Sequence, residues 1–78
     1  MPRYYLHIRD GDRLVEDPDG SDLPDLEAAR AEALEGARNI LAAKVKAGKL
    51  IDDQRFEITD ETGAVLTVMP LKDALRLA

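Results

Sequence analysis

Near the N-terminus of the chain, apolar and polar residues alternate with the period of a half-buried β-strand. Tyr4, Leu6 and Ile8 fall on one face of this strand, and Asp10-Gly11 marks the turn that follows it. Residues 3–16 are therefore predicted to form a β-hairpin.

The loop of this first hairpin decides which side chains share a face of the sheet. A two-residue loop at Asp10-Gly11 would pair His7 with Leu14 and would mix polar with apolar residues. A three-residue loop from Arg9 to Gly11, with Gly11 at positive φ, keeps one face apolar, and we expect this register. The pairs that it predicts are Leu6 with Leu14 and Tyr5 with Val15.

A second hairpin is predicted from the same alternation in the C-terminal third of the chain. Its strands run from Arg55 to Asp60 and from Ala64 to Met69, and Gly63 is expected at positive φ in the turn. The predicted inner pairs are Ile58 with Leu66 and Phe56 with Val68, and the predicted outer pairs are Thr59 with Val65, Glu57 with Thr67 and Arg55 with Met69.

Between the hairpins, a segment of turn-forming residues (17–22) precedes a pattern with the period of an amphipathic helix. Asp25 is the expected N-cap, and Gly48 is expected to end the helix just after Ala47. Because alanine supplies half of the apolar stripe, the helix backbone can lie close to a sheet. The stripe consists of Leu26, Ala29, Ala33, Ala37, Ile40 and Leu41.

Together these elements predict an α+β fold with the order β-β-α-β-β. One long helix covers one face of a four-stranded antiparallel sheet, and the other face has no cover within the chain. Residues 1–70 are expected to form a single domain, and residues 71–78 a short C-terminal tail that begins as a helical turn after Pro70. The pattern leaves open the order of the strands and the docking of the tail.

Composition limits the classes of protein that the chain can belong to. A chain of 78 residues has room for one thin core, so modest stability is expected unless the protein associates. The absence of cysteine excludes disulfides and thiolate metal sites. We expect a cytoplasmic protein without a membrane partner, because neither a signal peptide nor an apolar run of roughly 20 residues is present. The net charge of −5 counts against nucleic acid as a partner.

Residue types that carry chemistry are scattered in this sequence. His7 is the only histidine, and it has no second imidazole or thiolate with which to hold a metal. The acidic segment around Gly20 fails the pattern of a calcium loop, because Val15 and Leu26 stand at two of the essential ligand positions. The glycines are dispersed singly, so no phosphate-binding loop is predicted. We therefore expect no enzymatic activity, no cofactor and no metal.

The uncovered face of the predicted sheet has a composition typical of protein interfaces. Tyrosine, valine and methionine side chains would form an apolar patch there beside several arginines. We therefore expect a non-enzymatic interaction module that binds a protein partner or forms a homodimer. The predicted partner-binding residues are Tyr5, His7, Arg13, Val15, Arg55, Val65 and Met69.

A weak RNA-binding sheet is an alternative use of the same face. Tyr5 and His7 would act as stacking platforms for bases. The residues that would contact phosphates are Arg3, Arg9, Arg13 and Arg55. One exposed tyrosine on an acidic protein gives this alternative less support than the protein interface has.

Three stretches of the chain together resemble the small bacterial proteins grouped as domain of unknown function 6894. They are Pro2-Arg3-Tyr4-Tyr5 with His7 and Asp10-Gly11, then Asp17 with Gly20 and Leu23-Pro24-Asp25-Leu26-Glu27-Ala28-Ala29, and finally Glu57 to Gly63 with Val68-Met69-Pro70-Leu71. The resemblance covers nearly the whole chain. It implies a bacterial source, and it implies no activity, catalytic residue or cofactor.

The chain is also similar to the N-terminal domain of HicB-type antitoxins. Those domains place a tyrosine-rich first strand and an acidic turn before a Pro-Asp-Leu segment and an alanine-rich helix, although their proline-glycine-cysteine turn is missing here. The similarity implies the same topology. It also implies a further alternative, a regulatory, antitoxin-like protein that acts by acidic mimicry of nucleic acid.

Overall fold

The structure, a computed structural model, describes residues 1–49 and 53–75. The predicted α+β fold is confirmed. Its elements follow the predicted order with one addition, a two-residue strand at Ser21–Asp22 within the segment 17–22 that was expected to be loop, because these residues pair with Tyr4 and Arg3. The strands are β1 (Arg3–Asp10), β2 (Arg13–Val15), β3 (Ser21–Asp22), β4 (Arg55–Thr59) and β5 (Val65–Pro70), the helix is α1 (Leu26–Lys46), and a 3₁₀ turn (Leu71–Ala74) follows β5.

The sheet is antiparallel and has the strand order β2-β1-β4-β5. The two central strands, β1 and β4, therefore come from different hairpins and join the two halves of the chain. The short strand β3 pairs with the beginning of β1. β2 and β5 form the two edges of the four-stranded path, and this arrangement positions the candidate site described below.

Helix α1 begins and ends where its sequence predicts. The Asp25 carboxylate accepts a hydrogen bond of 2.8 Å from a backbone N–H of the first turn. At the other end Gly48 has a φ of 72°, and the N–H groups of Gly48 and Lys49 donate to the carbonyls of Val45 and Lys44. These two bonds form a Schellman motif. In the described part of the chain, no helix is both long and apolar enough to cross a membrane.

The apolar stripe of α1 packs on the sheet as predicted. Ala29, Ala33 and Ala37 are completely buried, and their small side chains leave room for larger ones from the sheet. The approach is tight at Gly36, where an added Cβ would lie 3.3 Å from the ring of Phe56. Among the described residues, the other buried apolar ones are Tyr4, Leu41, Phe56, Ile58, Met69 and Leu71.

The 3₁₀ turn after β5 docks on the domain. Leu71 is 1% exposed, and its N–H donates to the carbonyl of Gln54 at 3.0 Å. Ala74 packs against the same core. The beginning of the predicted tail is therefore part of the packed structure, and residues 76–78 of that tail lie outside the described residues.

The register of the first hairpin differs from the expected one. Ile8 pairs with Val15, which leaves Gly11-Asp12 as a two-residue loop. Gly11 has a φ of 61° and Asp12 has no positive φ, the pattern of a type II′ turn, whose twist matches that of the flanking strands. The expected three-residue loop is therefore wrong. As a result, Arg13 and Val15 lie on the side of the sheet that Ile8 shares with the helix.

The second hairpin has the predicted turn but a different register beyond it. Thr59 pairs with Val65 as expected, and a β-bulge at Leu66 then shifts the pairing by one residue. Met69 therefore faces α1 and is buried, while Val68 takes the opposite face. The bulge thereby brings the flexible methionine into the same buried cluster as the helix alanines. The observed pairs beyond the bulge are Ile58 with Thr67, Glu57 with Val68, Phe56 with Met69 and Arg55 with Pro70.

Candidate interaction surface

The face of the sheet that points away from α1, called the open face from here on, carries alternate residues of each strand. The registers place there Leu14 of β2, Tyr5, His7 and Arg9 of β1, Arg55, Glu57 and Thr59 of β4, and Val65 and Val68 of β5. The predicted partner-binding residues in this set are Tyr5, His7, Arg55 and Val65.

Three of the predicted partner-binding residues do not lie on the open face, and neither does Thr67, which pairs with Ile58 on the helix side. Met69 is only 6% exposed beneath α1, because the bulge turns it inward. Arg13 and Val15 are exposed, but they lie on the helix side of the β2 edge, because the first hairpin has a two-residue loop. The patch of Tyr5, Val15, Val65 and Met69 that the sequence predicted is therefore not formed.

A loop covers one end of the open face, and Asp17 holds this loop in place. One carboxylate oxygen, Oδ1, accepts hydrogen bonds from the N–H groups of Asp19 at 3.3 Å and Gly20 at 3.2 Å. The other, Oδ2, accepts a hydrogen bond of 3.2 Å from the N–H of Leu6 in β1. The loop is thus tied both to itself and to a central strand. An aspartate three residues before a glycine indicates such a turn, but nothing local in the sequence indicates the bond to β1.

His7 joins the same loop to the centre of the sheet. Its Nδ1 accepts a hydrogen bond of 3.0 Å from the Asp17 N–H, so Nε2 carries the ring proton and donates to the Thr59 hydroxyl at 3.3 Å. The Tyr5 ring stacks on the imidazole, with 6.0 Å between the ring centroids and 18° between the planes. Thr59 is 4% exposed beneath these groups. His7 therefore connects the loop to β4 through hydrogen bonds at both of its ring nitrogens.

Around this network lies a shallow cleft of about 280 Å³ with several carboxylates on its rim. Most of them already have partners within the protein. Asp17 and Asp60 accept hydrogen bonds from their own turns, and Glu61 Oε1 accepts one of 3.3 Å from the Arg3 N–H. Within residues 1–49 and 53–75, no group of three or more acidic or histidine side chains is placed to hold a metal ion. The cleft is best described as the junction of two turns.

The centre of the open face is polar. Arg9 Nε lies 3.0 Å from Glu57 Oε2, and the two side chains are 28% and 15% exposed. Burying an ion pair completely costs several kcal/mol per ion in lost hydration, which the attraction between the charges offsets only with good geometry. A second protein surface laid flat over this centre would have to meet that cost.

Exposed apolar side chains collect instead along β5. Val65, Leu66 and Val68 are 54%, 42% and 46% exposed. They lie within residues 62–71, the longest stretch of the chain without a charged side chain. Leu66 and Val68 were not among the predicted partner-binding residues, because alternation without a bulge assigns both of them to the core.

The other edge of the sheet is built differently. β2 is three residues long, contains the exposed Arg13, and lies between Asp12 and Glu16. Short length and charge are the features by which proteins usually prevent edge strands from pairing with other chains. β5 is twice as long and uncharged, so it lacks the short length and the charge that protect β2 from pairing with another chain.

Asp60 caps the turn of the second hairpin. Its Oδ1 accepts hydrogen bonds from the Thr62 hydroxyl at 2.6 Å, the Thr62 N–H at 2.8 Å and the Ala64 N–H at 3.2 Å. The Thr62 hydroxyl, followed by the backbone N–H groups, holds the pKa of this carboxyl below its ordinary value of 3.8, against the opposing effect of burial.

This lowered pKa predicts a turn that loses stability in acid. Because the folded protein binds the Asp60 proton less readily than the unfolded chain, the contribution is present above the ordinary pKa of 3.8 and is lost as the pH falls through the folded-state pKa. Thr62→Val removes the hydroxyl, so we expect its thermal midpoint to be below that of the wild type at about pH 7 and closer to it at about pH 3. Circular dichroism measures both midpoints. Thr62→Ser keeps the hydroxyl and should follow the wild type, whereas a Thr62→Val deficit that does not change with pH would contradict the assignment.

Comparison with known proteins places the chain in a family. Searches of curated proteins and of solved structures found no match, so they add no support to the similarity with HicB-type antitoxins. A family model, described as a domain of unknown function (DUF6894), matches residues 3–72. The matched range begins with β1 and ends within the 3₁₀ turn, so it contains every strand and the whole of α1. The chain belongs to the DUF6894 family, as the motifs in its sequence predict.

Proposed function

We propose that this protein is a non-enzymatic interaction module that binds another protein chain through the β5 edge and the adjoining part of the open face. The contrast between the two edges of the sheet carries the proposal. β2 is short and charged, whereas β5 presents three exposed apolar side chains in an uncharged stretch. An edge of this second kind is a template for strand pairing with another chain.

The side chains that could act as catalysts are already hydrogen-bonded within the protein, and this supports a binding role. A general acid or base needs a proton position within reach of the substrate. Both nitrogens of His7 are hydrogen-bonded within the protein, and the Asp17 carboxylate accepts three backbone N–H groups. These side chains stabilise the loop on the open face.

Two of the four arginines that an RNA-binding sheet would use already have acidic partners. Arg3 makes two hydrogen bonds of 3.1 Å to the Asp22 carboxylate, and Arg9 pairs with Glu57. Phosphate binding would have to displace these carboxylates from the guanidinium groups. The protein-binding function is therefore the better supported use of the open face.

A photoreactive benzophenone amino acid tests the proposal in cells of the native host. Placed at position 68, it should form a covalent adduct with one defined protein, identified by mass spectrometry as a second copy or as a different chain. Position 15 is the matched control, because Val15 is 47% exposed and Val68 is 46% exposed, on opposite edges of the sheet. Equal labelling at both positions, or no adduct at position 68, would overturn the proposal.

A further inference from the structure

We infer that the chain bound at the β5 edge is a second copy of this protein, paired antiparallel through β5 about a two-fold axis. This inference rests on the proposed function and names its partner. The product would be one continuous eight-stranded sheet, in which the two copies of β5 lie at the centre and the two copies of β2 at the ends. The direction of the two-fold axis decides whether the two helices lie on the same side of this sheet. An axis perpendicular to the sheet makes the two β5 strands antiparallel and places both helices on the same side.

Edge pairing suits this surface better than face-to-face stacking. Stacking two open faces would cover the Arg9–Glu57 pair, whose remaining hydration both charges would lose. Pairing through β5 leaves that pair in its present surroundings. It also gives the exposed side chains of Val65, Leu66 and Val68 apolar neighbours from the other copy.

The middle of β5 lacks the usual protection of an edge strand. The bulge at Leu66 lies towards one end, and Pro70, which has no N–H to donate, lies at the other. The segment from Thr67 to Met69 lies between them and contains neither a charge nor a proline. A pairing segment this short makes few backbone hydrogen bonds, so the expected dimer is weak, with a dissociation constant on the order of micromolar.

The distribution of charge determines where two copies can meet and favours the antiparallel direction. A net charge of −5 makes two copies repel over most of their surfaces, so contact is easiest where charged side chains are absent. Glu61 lies before the uncharged stretch and Lys72 directly after it. Antiparallel pairing brings each exposed Glu61 towards the exposed Lys72 of the other copy, whereas parallel pairing would bring the two glutamates together.

The other charges near the ends of β5 leave this pairing possible. Asp60 already accepts hydrogen bonds from Thr62 and Ala64 in its own turn. Asp73 lies on the helix side, in the groove beside Glu27 and Arg30. Lys72 is paired with Asp53 at 3.1 Å, but that carboxylate is 95% exposed, so the pair is at the surface and contributes little.

Single cysteines test the arrangement directly, because the natural chain contains none. Purified Val68→Cys and Val15→Cys are each treated with a short bismaleimide at concentrations where sedimentation shows a dimer. In the paired sheet, the two positions 68 lie near the axis, while the two positions 15 are roughly 34 Å apart, across seven strand spacings of about 4.8 Å. We expect a covalent dimer from Val68→Cys and only a trace from Val15→Cys.

A charge at the same position provides the second measurement. Val68→Lys should raise the dissociation constant of the dimer by at least about tenfold, because each copy brings a lysine to the pairing strand. Val15 is exposed to the same extent as Val68 but lies on the other edge, so Val15→Lys should leave the dissociation constant of the dimer unchanged. Circular dichroism of both variants shows that the fold is retained, and Val68→Thr provides an uncharged variant with high strand propensity.

Two results would overturn the inference, and they differ in what they mean for the proposed function. If the wild-type chain sediments as a monomer up to about 1 mM, it does not form the expected dimer, and the inference is wrong. If position 68 then labels a different protein in cells, the proposed function stands. A dimer that cross-links through Val15→Cys, or that Val68→Lys does not weaken, has its contact elsewhere. That outcome removes both the inference and the surface assigned to the proposed function.

Discussion

Replacing Gly20 with alanine is expected to lower the free energy of unfolding by about 2–5 kcal/mol, because the added methyl group meets backbone strain and occupied space. Gly20 has a φ of 68°, where a residue with a Cβ costs about 1–2 kcal/mol. The Cβ would lie 2.9 Å from Tyr5 Cε2, 3.0 Å from Arg3 Cγ and 3.0 Å from the Tyr4 carbonyl oxygen. The two side chains can shift, but the carbonyl belongs to a central strand, and crowding of this kind adds about 1–3 kcal/mol.

Gly48→Ala is the matched control for this prediction. Gly48 has a φ of 72°, close to that of Gly20, and nothing lies within 4 Å of the Cβ that alanine would add. Urea unfolding of the two variants therefore separates the cost of strain, which both share, from the cost of crowding, which only Gly20→Ala has. Equal losses of stability would contradict the close packing of the loop against β1.

Local signals in the sequence were sufficient to predict the helix. Asp25 and Gly48 each act within one turn of the helix backbone, through the N-cap bond and the Schellman motif. The alanine stripe has the helical period and packs on the sheet as expected. Alternation likewise predicted the four main strands and the positive φ of Gly11 and Gly63.

The register of each hairpin depends on its loop length and on bulges, which the alternation of apolar and polar residues does not specify. Shifting a strand by one residue reverses the face of every side chain in it. The Gly11-Asp12 loop moves Val15 to the helix side, and the bulge at Leu66 exchanges the faces expected for Val68 and Met69. The bulge is a feature of the pairing between β5 and β4, so the period of β5 alone could not reveal it.

The candidate site was predicted only in part for the same reason. Tyr5, His7, Arg55 and Val65 lie on the open face as expected, because neither register shift changes the face of these four side chains. The links from His7 to Asp17 and to Thr59 span 10 and 52 residues of sequence, and a local pattern carries no information on such contacts. The sequence does indicate the two turns beside the site. Asp17 and Asp60 each lie three residues before a glycine, and both carboxylates accept hydrogen bonds from backbone N–H groups of their own turns.

Asp17→Asn is expected to lower the free energy of unfolding by about 2–4 kcal/mol, although the two side chains have nearly the same shape. Asparagine can still accept hydrogen bonds from Asp19 and Gly20 through its one carbonyl oxygen. Its amide group would then face the Leu6 N–H, so that two donors meet in a partly buried place where Oδ2 now accepts at 3.2 Å. The variant therefore leaves a backbone donor without a partner and replaces charge-assisted bonds with neutral ones.

Asp19→Asn tests the specificity of this effect, because it makes the same chemical change two residues away on an exposed side chain. We expect a loss within about 0.5 kcal/mol for this control, measured by urea unfolding under the same conditions. Hydrogen exchange of the Asp17 and Leu6 amides adds a local readout, since both should lose protection only in Asp17→Asn. Equal stability of the two asparagine variants would mean that the loop is an independent flap over the open face. A large difference would mean that the loop unfolds with the sheet, so that Tyr5, His7 and Thr59 are held within the fold and the β5 edge is the part of this face left for a partner.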